Sequence, residues 1–159
     1  MVIGEFDENL IQEFPWVEFI KLDCVKKRDN QYNPHLDMMN KMEYAYNLFK
    51  DTYLGFIWMV DDNYAIKPFD LTDIMTVHYH EPSFVGWKDL PTSYWKHDKW
   101  KTRQLMDQEN LPHINYTTHY PCYLDFEKIH FLCNKYDMLN ESYVIEDVYF
   151  NYFPHEEPV

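Results

Sequence analysis

Asp61-Asp62-Asn63 ends the longest apolar run of the chain, Leu54 to Val60. Two adjacent carboxylates at the end of a strand repel each other unless a cation or solvent offsets their charge. Their hard oxygens suit Mg²⁺ or Mn²⁺, which can bridge a diphosphate and neutralise charge on a departing nucleotide. The same three residues also read as a solvated turn that caps the next element. Further along, Thr117-Thr118-His119-Tyr120-Pro121 offers an imidazole, a ligand for Mn²⁺-class metals and a partner for phosphate. A single histidine also serves purely structural ends. Glu146-Asp147 supplies two more carboxylates, and either could act as a general base toward an acceptor hydroxyl. Acids at that position also favour the dipole of a starting helix. Lys96, Lys99, Lys101 and Arg103, with His97 among them, gather cations on one segment, as a ligand-facing surface or as a solvated helix face.

Other schemes find less support. There is no G-x-S-x-G elbow and no C-x-x-C, and no cysteine forms an evident pair with a histidine in an electropositive setting, although Cys122 lies close to His119 in sequence. His78 and His80 would share one side of a strand, but no two further ligands stand at a spacing that suits structural zinc. With only 3 glycines the chain holds neither G-x-G-x-x-G nor a P-loop.

The elements that must position these residues alternate. Met1–Gly4 reads as a strand. Asp7 caps a helix with Leu10, Ile11 and Phe14 at helical spacing, and Pro15 stops it. Val17–Leu22 is a second strand, and Cys24–Pro34 is polar and turn-like. A helix opens near Asp37 and lays Met38, Met39, Met42, Ala45, Tyr46 and Phe49 on one core-facing side. The run Leu54–Val60 reads as a strand buried on both faces, as in a parallel sheet. Short strands are expected near Ile74–Tyr79, Ser83–Val85 and His113–Tyr116. Helices are expected over Pro91–Glu109, after Asp125, and over Tyr143–Tyr152. Strand, helix, strand, helix, strand is the order of an α/β fold, and no repeat or linker divides residues 1–159, which read as one domain.

Composition narrows the partners. The net charge is -13, so a long-range positive field for nucleic acid is missing and direct nucleic-acid binding is not expected. No Lys or Arg precedes Lys21 or follows Lys135. The acidic balance supports a second reading, a non-catalytic protein that binds a basic protein partner. Apolar residues make up 46%, enough for one core, and aromatics 19%, compatible with a homodimer. Three sparse cysteines, no secretory signal and no run long enough to span a bilayer point to a reducing, cytoplasmic setting.

Trp58-Met-Val-Asp-Asp-Asn-Tyr-Ala-Ile-Lys-Pro68 resembles the acidic segment of bacterial and phage glycosyltransferase-like proteins related to Stealth-type capsular sugar-phosphate transferases. Tyr94–Arg103 is similar to their following basic helix. Thr118-His-Tyr-Pro121 with Asp125, and Glu146–Tyr152, are similar to their downstream blocks, in matching order over roughly residues 50 to 153. The resemblance implies a GT-A-like mixed sheet flanked by helices, compact or shortened at its N-terminus by one strand–helix unit. It implies metal-dependent transfer of a sugar or sugar phosphate from a nucleotide donor. Asp61, Asp62 and His119 would serve Mn²⁺ or Mg²⁺; Lys67, Lys99, Lys101 and Arg103 would contact the donor; Glu146 or Asp147 would be the base. Asn63 stands where a D-x-D pattern would place a further acid.

Overall fold

The computed structural model describes residues 1–24, 32–59, 68, 70–79 and 94–153. In order, the elements are β1 (Val2–Gly4), α1 (Glu8–Glu13), β2 (Phe19–Lys21), α2 (Pro34–Phe49), β3 (Gly55–Trp58), α3 (Leu71–Met75), α4 (Tyr94–Glu109), β4 (Cys122–Asp125), α5 (Phe126–Lys135) and α6 (Ile145–Tyr152). Helices and small sheets make this an α/β chain. β1 and β2 pair in parallel, Val2 opposite Phe19 and Gly4 opposite Lys21. β3 and β4 pair antiparallel, Gly55 opposite Asp125 and Trp58 opposite Cys122. Among the described residues these are two separate sheets of two strands, not one mixed sheet.

β3 departs from the expectation of a strand buried on both faces. Leu54 is 82% and Ile57 47% exposed, while Phe56 and Trp58 turn inward to the core. An antiparallel pair tolerates one wet face, which a central parallel strand does not. Gly55 is required where it stands, because a Cβ there would lie 2.6 Å from Tyr123 Oη and closer still to the Leu124 carbonyl of β4.

α2 starts earlier than Asp37. Asn33 Oδ1 accepts the Leu36 N–H at 3.0 Å, and Pro34 takes the first turn, where its missing N–H costs nothing. Asp37 instead lies buried in that turn, paired with Lys41 Nζ at 2.6 Å. Met39, Met42, Ala45 and Tyr46 are buried as the periodicity requires. α5 is capped by Asp125, whose Oδ1 accepts the Lys128 N–H at 3.0 Å, and it buries Phe126, Ile129, Leu132 and Cys133. Ile129, Leu132 and Cys133 pack with Leu124, Ile145, Val148 and Met39 into the main core, and Phe126 packs with Ala45 and Tyr46 in a second cluster. Full burial of each large aliphatic side chain contributes about 1.5–3 kcal/mol.

With so few glycines, other residues close the helices. Asn110 (φ 54) follows α4 and Asp137 (φ 50) follows α5. Leu111 N–H then reaches Met106 O at 2.9 Å, and Met138 N–H reaches Cys133 O at 3.0 Å, satisfying carbonyls the helices leave open. Asn and Asp tolerate the left-handed conformation better than other side chains.

Three sequence expectations change. Ile74 belongs to the short helix α3, opened by a capping box between Asp70 and Asp73, and residues 77–79 form no strand. Cys122–Asp125 is a strand, though its pattern was hidden beside the helix cap at Asp125. Residues 113–116 form no strand because side chains, not a neighbouring strand, occupy their backbone groups. Ser83–Val85 lies outside the described residues. A buried contact joins α2 to α4: His35 Nδ1 lies 2.6 Å from Asp98 Oδ2. Burial works to raise the Asp98 carboxyl, but hydrogen bonding, chiefly to His35, holds it below its ordinary value.

Candidate active site

Helix α6 carries two buried carboxylates in its first turn, Glu146 and Asp147, which have different partners. Asp147 is fully buried, and its Oδ2 meets Lys99 Nζ of α4 at 2.7 Å. Its Oδ1 accepts the Tyr116 N–H at 2.7 Å. The same lysine also donates to Asn115 Oδ1 at 2.9 Å and to Thr117 Oγ1. One turn on, Asn151 accepts the Ile114 N–H at 3.1 Å and donates to the Ile114 carbonyl at 2.8 Å. Residues 114–117 are thus held in place by side chains of α4 and α6, which satisfy backbone groups of Ile114 and Tyr116 that would otherwise need a sheet. Burial raises the Asp147 carboxyl to about 6, and the nearby Lys99 charge and its hydrogen bond only partly offset this.

The splinted segment delivers His119. Thr118 N–H donates to Tyr116 O at 2.8 Å, a tight reversal, and His119 follows at φ 60. This is a left-handed residue away from any helix end. Such a conformation costs about 1–2 kcal/mol in a side-chain-bearing residue, and functional sites are where it recurs.

Glu146 opens onto a cleft with His119. The cleft runs between β3, the residues after α3, the Tyr116–Cys122 segment and α6, and its lining includes Trp58, His78, Thr118 and Tyr120. Trp58 Nε1–H donates to Glu146 Oε1 at 3.0 Å. His78 stacks on Tyr120 with ring centroids 4.1 Å apart, making an aromatic wall. Cys122 also lines the cleft, but burial, with the Glu146 charge adding, pushes its thiol up to about 12, so it is no nucleophile.

The predicted site residues therefore divide. Glu146 and His119 meet in one cleft; Asp147 lies beneath it as an ion-paired support. Lys99, expected at a donor, is a buried partner of Asp147, and Lys101 pairs with Glu141. Lys96 is exposed and Arg103 half-buried; with Lys99 buried on Asp147 and Lys101 paired with Glu141, the four do not form one solvent-facing cationic surface. Asp61, Asp62, Asn63 and Lys67 lie outside the described residues, as does His80. Among the described residues no three His, Cys, Asp or Glu side chains are grouped to hold a metal ion, so His119 alone represents the predicted ligand set. Sequence reading names His78 and Tyr120 without bringing them together, and gives Trp58 no role of its own at the site. The only signal for Trp58 was its place as the last inward residue of the strand before the acidic turn.

Comparison of the chain with protein-family models, with curated proteins and with solved structures finds no match.

Proposed function

We propose that the cleft is the active site of a group-transfer enzyme that moves a sugar or sugar phosphate from a nucleotide donor to a hydroxyl acceptor. The observation that carries this reading is convergence: Trp58, His119 and Glu146, from three separate blocks of the sequence, line one cleft. β3 brings the chain to the cleft wall at Trp58, shortly before Asp61-Asp62 in sequence.

In this reading Glu146 is the general base. Its Oε1 is oriented by the Trp58 indole, while Oε2 carries no hydrogen bond among the described residues. It takes the proton of the acceptor hydroxyl as that oxygen bonds to the transferred group. The bond from that group to the donor phosphate breaks, and its electron pair leaves with the nucleotide. Asp147 is unsuited to the role because Lys99, Tyr116 and Thr117 already surround its oxygens. His119 is a phosphate contact, and the aromatic wall offers a flat face to a ring. Mn²⁺ or Mg²⁺ at Asp61 and Asp62 would supply countercharge for the diphosphate.

The test is calorimetric titration of the folded protein with a panel of nucleotide sugars, with and without Mn²⁺. Binding that strengthens with Mn²⁺ and weakens in His119→Ala supports the proposal. No binding across the panel overturns it.

A further inference from the structure

The N-terminal unit holds an apolar surface that the described fold leaves uncovered. Every residue of α1 is exposed. A helix of 6 residues is too short to persist on propensity alone. Here Asp7 Oδ1 caps it by accepting the Asn9 N–H at 2.9 Å. Leu10 and Phe14 lie one turn apart, Ile11 and Phe14 share the adjoining row, and Trp16 meets Phe14 edge-on at 5.8 Å. Trp16 is 77% exposed and Ile11 44%. Exposed apolar side chains grouped in this way mark a contact site, and a tryptophan is a frequent anchor of one.

The chemistry of the occupant follows from the rim. Asp7, Glu8, Glu13 and Glu18 are all exposed around this surface. No Lys or Arg precedes Lys21. An apolar patch with Asp7, Glu8, Glu13 and Glu18 on its own segment is complementary to apolar side chains flanked by cations. A second copy of the chain would set acid against acid, and an anionic membrane would repel the same rim.

We infer that the α1 surface docks a cationic amphipathic segment of another protein, one that presents apolar side chains flanked by Lys or Arg. Trp16, Ile11 and Leu10 are the apolar anchors, and Glu8, Glu13 and Glu18 set the charge preference. The surface does not involve Glu146, His119 or the cleft, so it stands whether or not the transferase reading does.

The probe is a fluorescent helical peptide of leucine and lysine with its leucines on one face. Its two controls are the same peptide with glutamate for lysine and a shuffled peptide of equal composition. Anisotropy titration against the whole chain should show binding of the first peptide alone. Trp16→Ser and the pair Leu10→Ser/Ile11→Ser should each weaken it at least tenfold, with circular dichroism unchanged. Glu13→Gln/Glu18→Gln should weaken it severalfold and flatten its salt dependence, whereas Asp51→Asn/Asp107→Asn, which removes equal charge elsewhere, should not. Equal binding by the shuffled peptide, equal loss from both charge pairs, or no loss in Trp16→Ser overturns the inference. So does no binding at all. Dimerisation in sedimentation that Trp16→Ser abolishes would replace the partner by a second copy.

Discussion

Trp58 closes β3 and Glu146 opens α6, and the indole N–H of the one donates to a carboxylate oxygen of the other at 3.0 Å. That bond holds Glu146 at the cleft wall, while Asp147 turns to Lys99. Glu146→Gln keeps the shape and loses the base, so transfer should fall by about 10²–10⁴-fold with donor affinity retained. Asp147→Asn should leave most of the transfer rate. Trp58→Phe should cost about 1 kcal/mol of stability for the lost hydrogen bond. Single-turnover rates and calorimetry on the three variants separate these outcomes.

The Asp147 carboxyl makes stability depend on pH in a direction opposite to that of most carboxylates. Burial raises it from 3.8 to about 6, so the folded chain holds this proton more tightly than the unfolded chain does. Its contribution is complete below about pH 4, the unfolded value, and is lost as pH rises through 6. Asp147→Asn imitates the protonated acid at every pH. Urea unfolding should therefore show the variant gaining on the parent between pH 4 and pH 7.

Lys99 is the cation that makes an ionised Asp147 tolerable. Lys99→Met leaves that charge alone in the core, and removing one member of a buried pair costs about 3–5 kcal/mol. The deficit should be largest near pH 8 and shrink toward pH 5, where Asp147 is protonated in both proteins. A deficit that does not change with pH would mean the lysine acts by packing alone.

Gly55 gives a prediction whose sign is informative. An unhindered Gly→Ala change stabilises by about 0.4–1 kcal/mol through the unfolded chain. At Gly55 the new methyl meets the Leu124 carbonyl and Tyr123, so β3 and β4 must separate. Overpacking of this kind costs about 1–3 kcal/mol, and the melting temperature of Gly55→Ala should fall.

His119 holds a conformation that asparagine accepts and β-branched residues resist. His119→Asn should keep stability within about 0.5 kcal/mol, and His119→Val should lose about 1–2 kcal/mol. Both should lose phosphate-dependent binding, so binding and folding come apart in the first variant alone.

Much of the element order was legible because helices announce themselves by period and cap. The stripe from Met39 to Tyr46 and the cap at Asp125 needed no tertiary information. The start of α2 was misread because Asp37 suits a cap, while Asn33 followed by proline suits it better. β3 was legible as a strand but not in its exposure, since an apolar run cannot tell a central strand from one with a wet face. Residues 113–116 read as a strand from sequence alone, and what holds Ile114 and Tyr116 lies in α6, where no local pattern points. At the site, His119 and Glu146 were singled out by type, but the division between Glu146 and Asp147 depends on which face of α6 meets Lys99. The basic run from Lys96 to Arg103 is not a single cationic surface because Lys99 is buried against Asp147 and Lys101 turns away from the row of Lys96 and Arg103 to pair with Glu141.

The side-chain splint over residues 114–117 has an effect on how this region can change over generations. A strand inside a ladder cannot shift by one residue without reversing every side chain it carries. Here three point contacts, from Lys99, Asp147 and Asn151, do the holding. A chain lengthened by one residue near Thr118 could keep all three and re-aim only the residues that follow. The region that presents His119 can therefore change by small insertions with its contacts to α4 and α6 left intact.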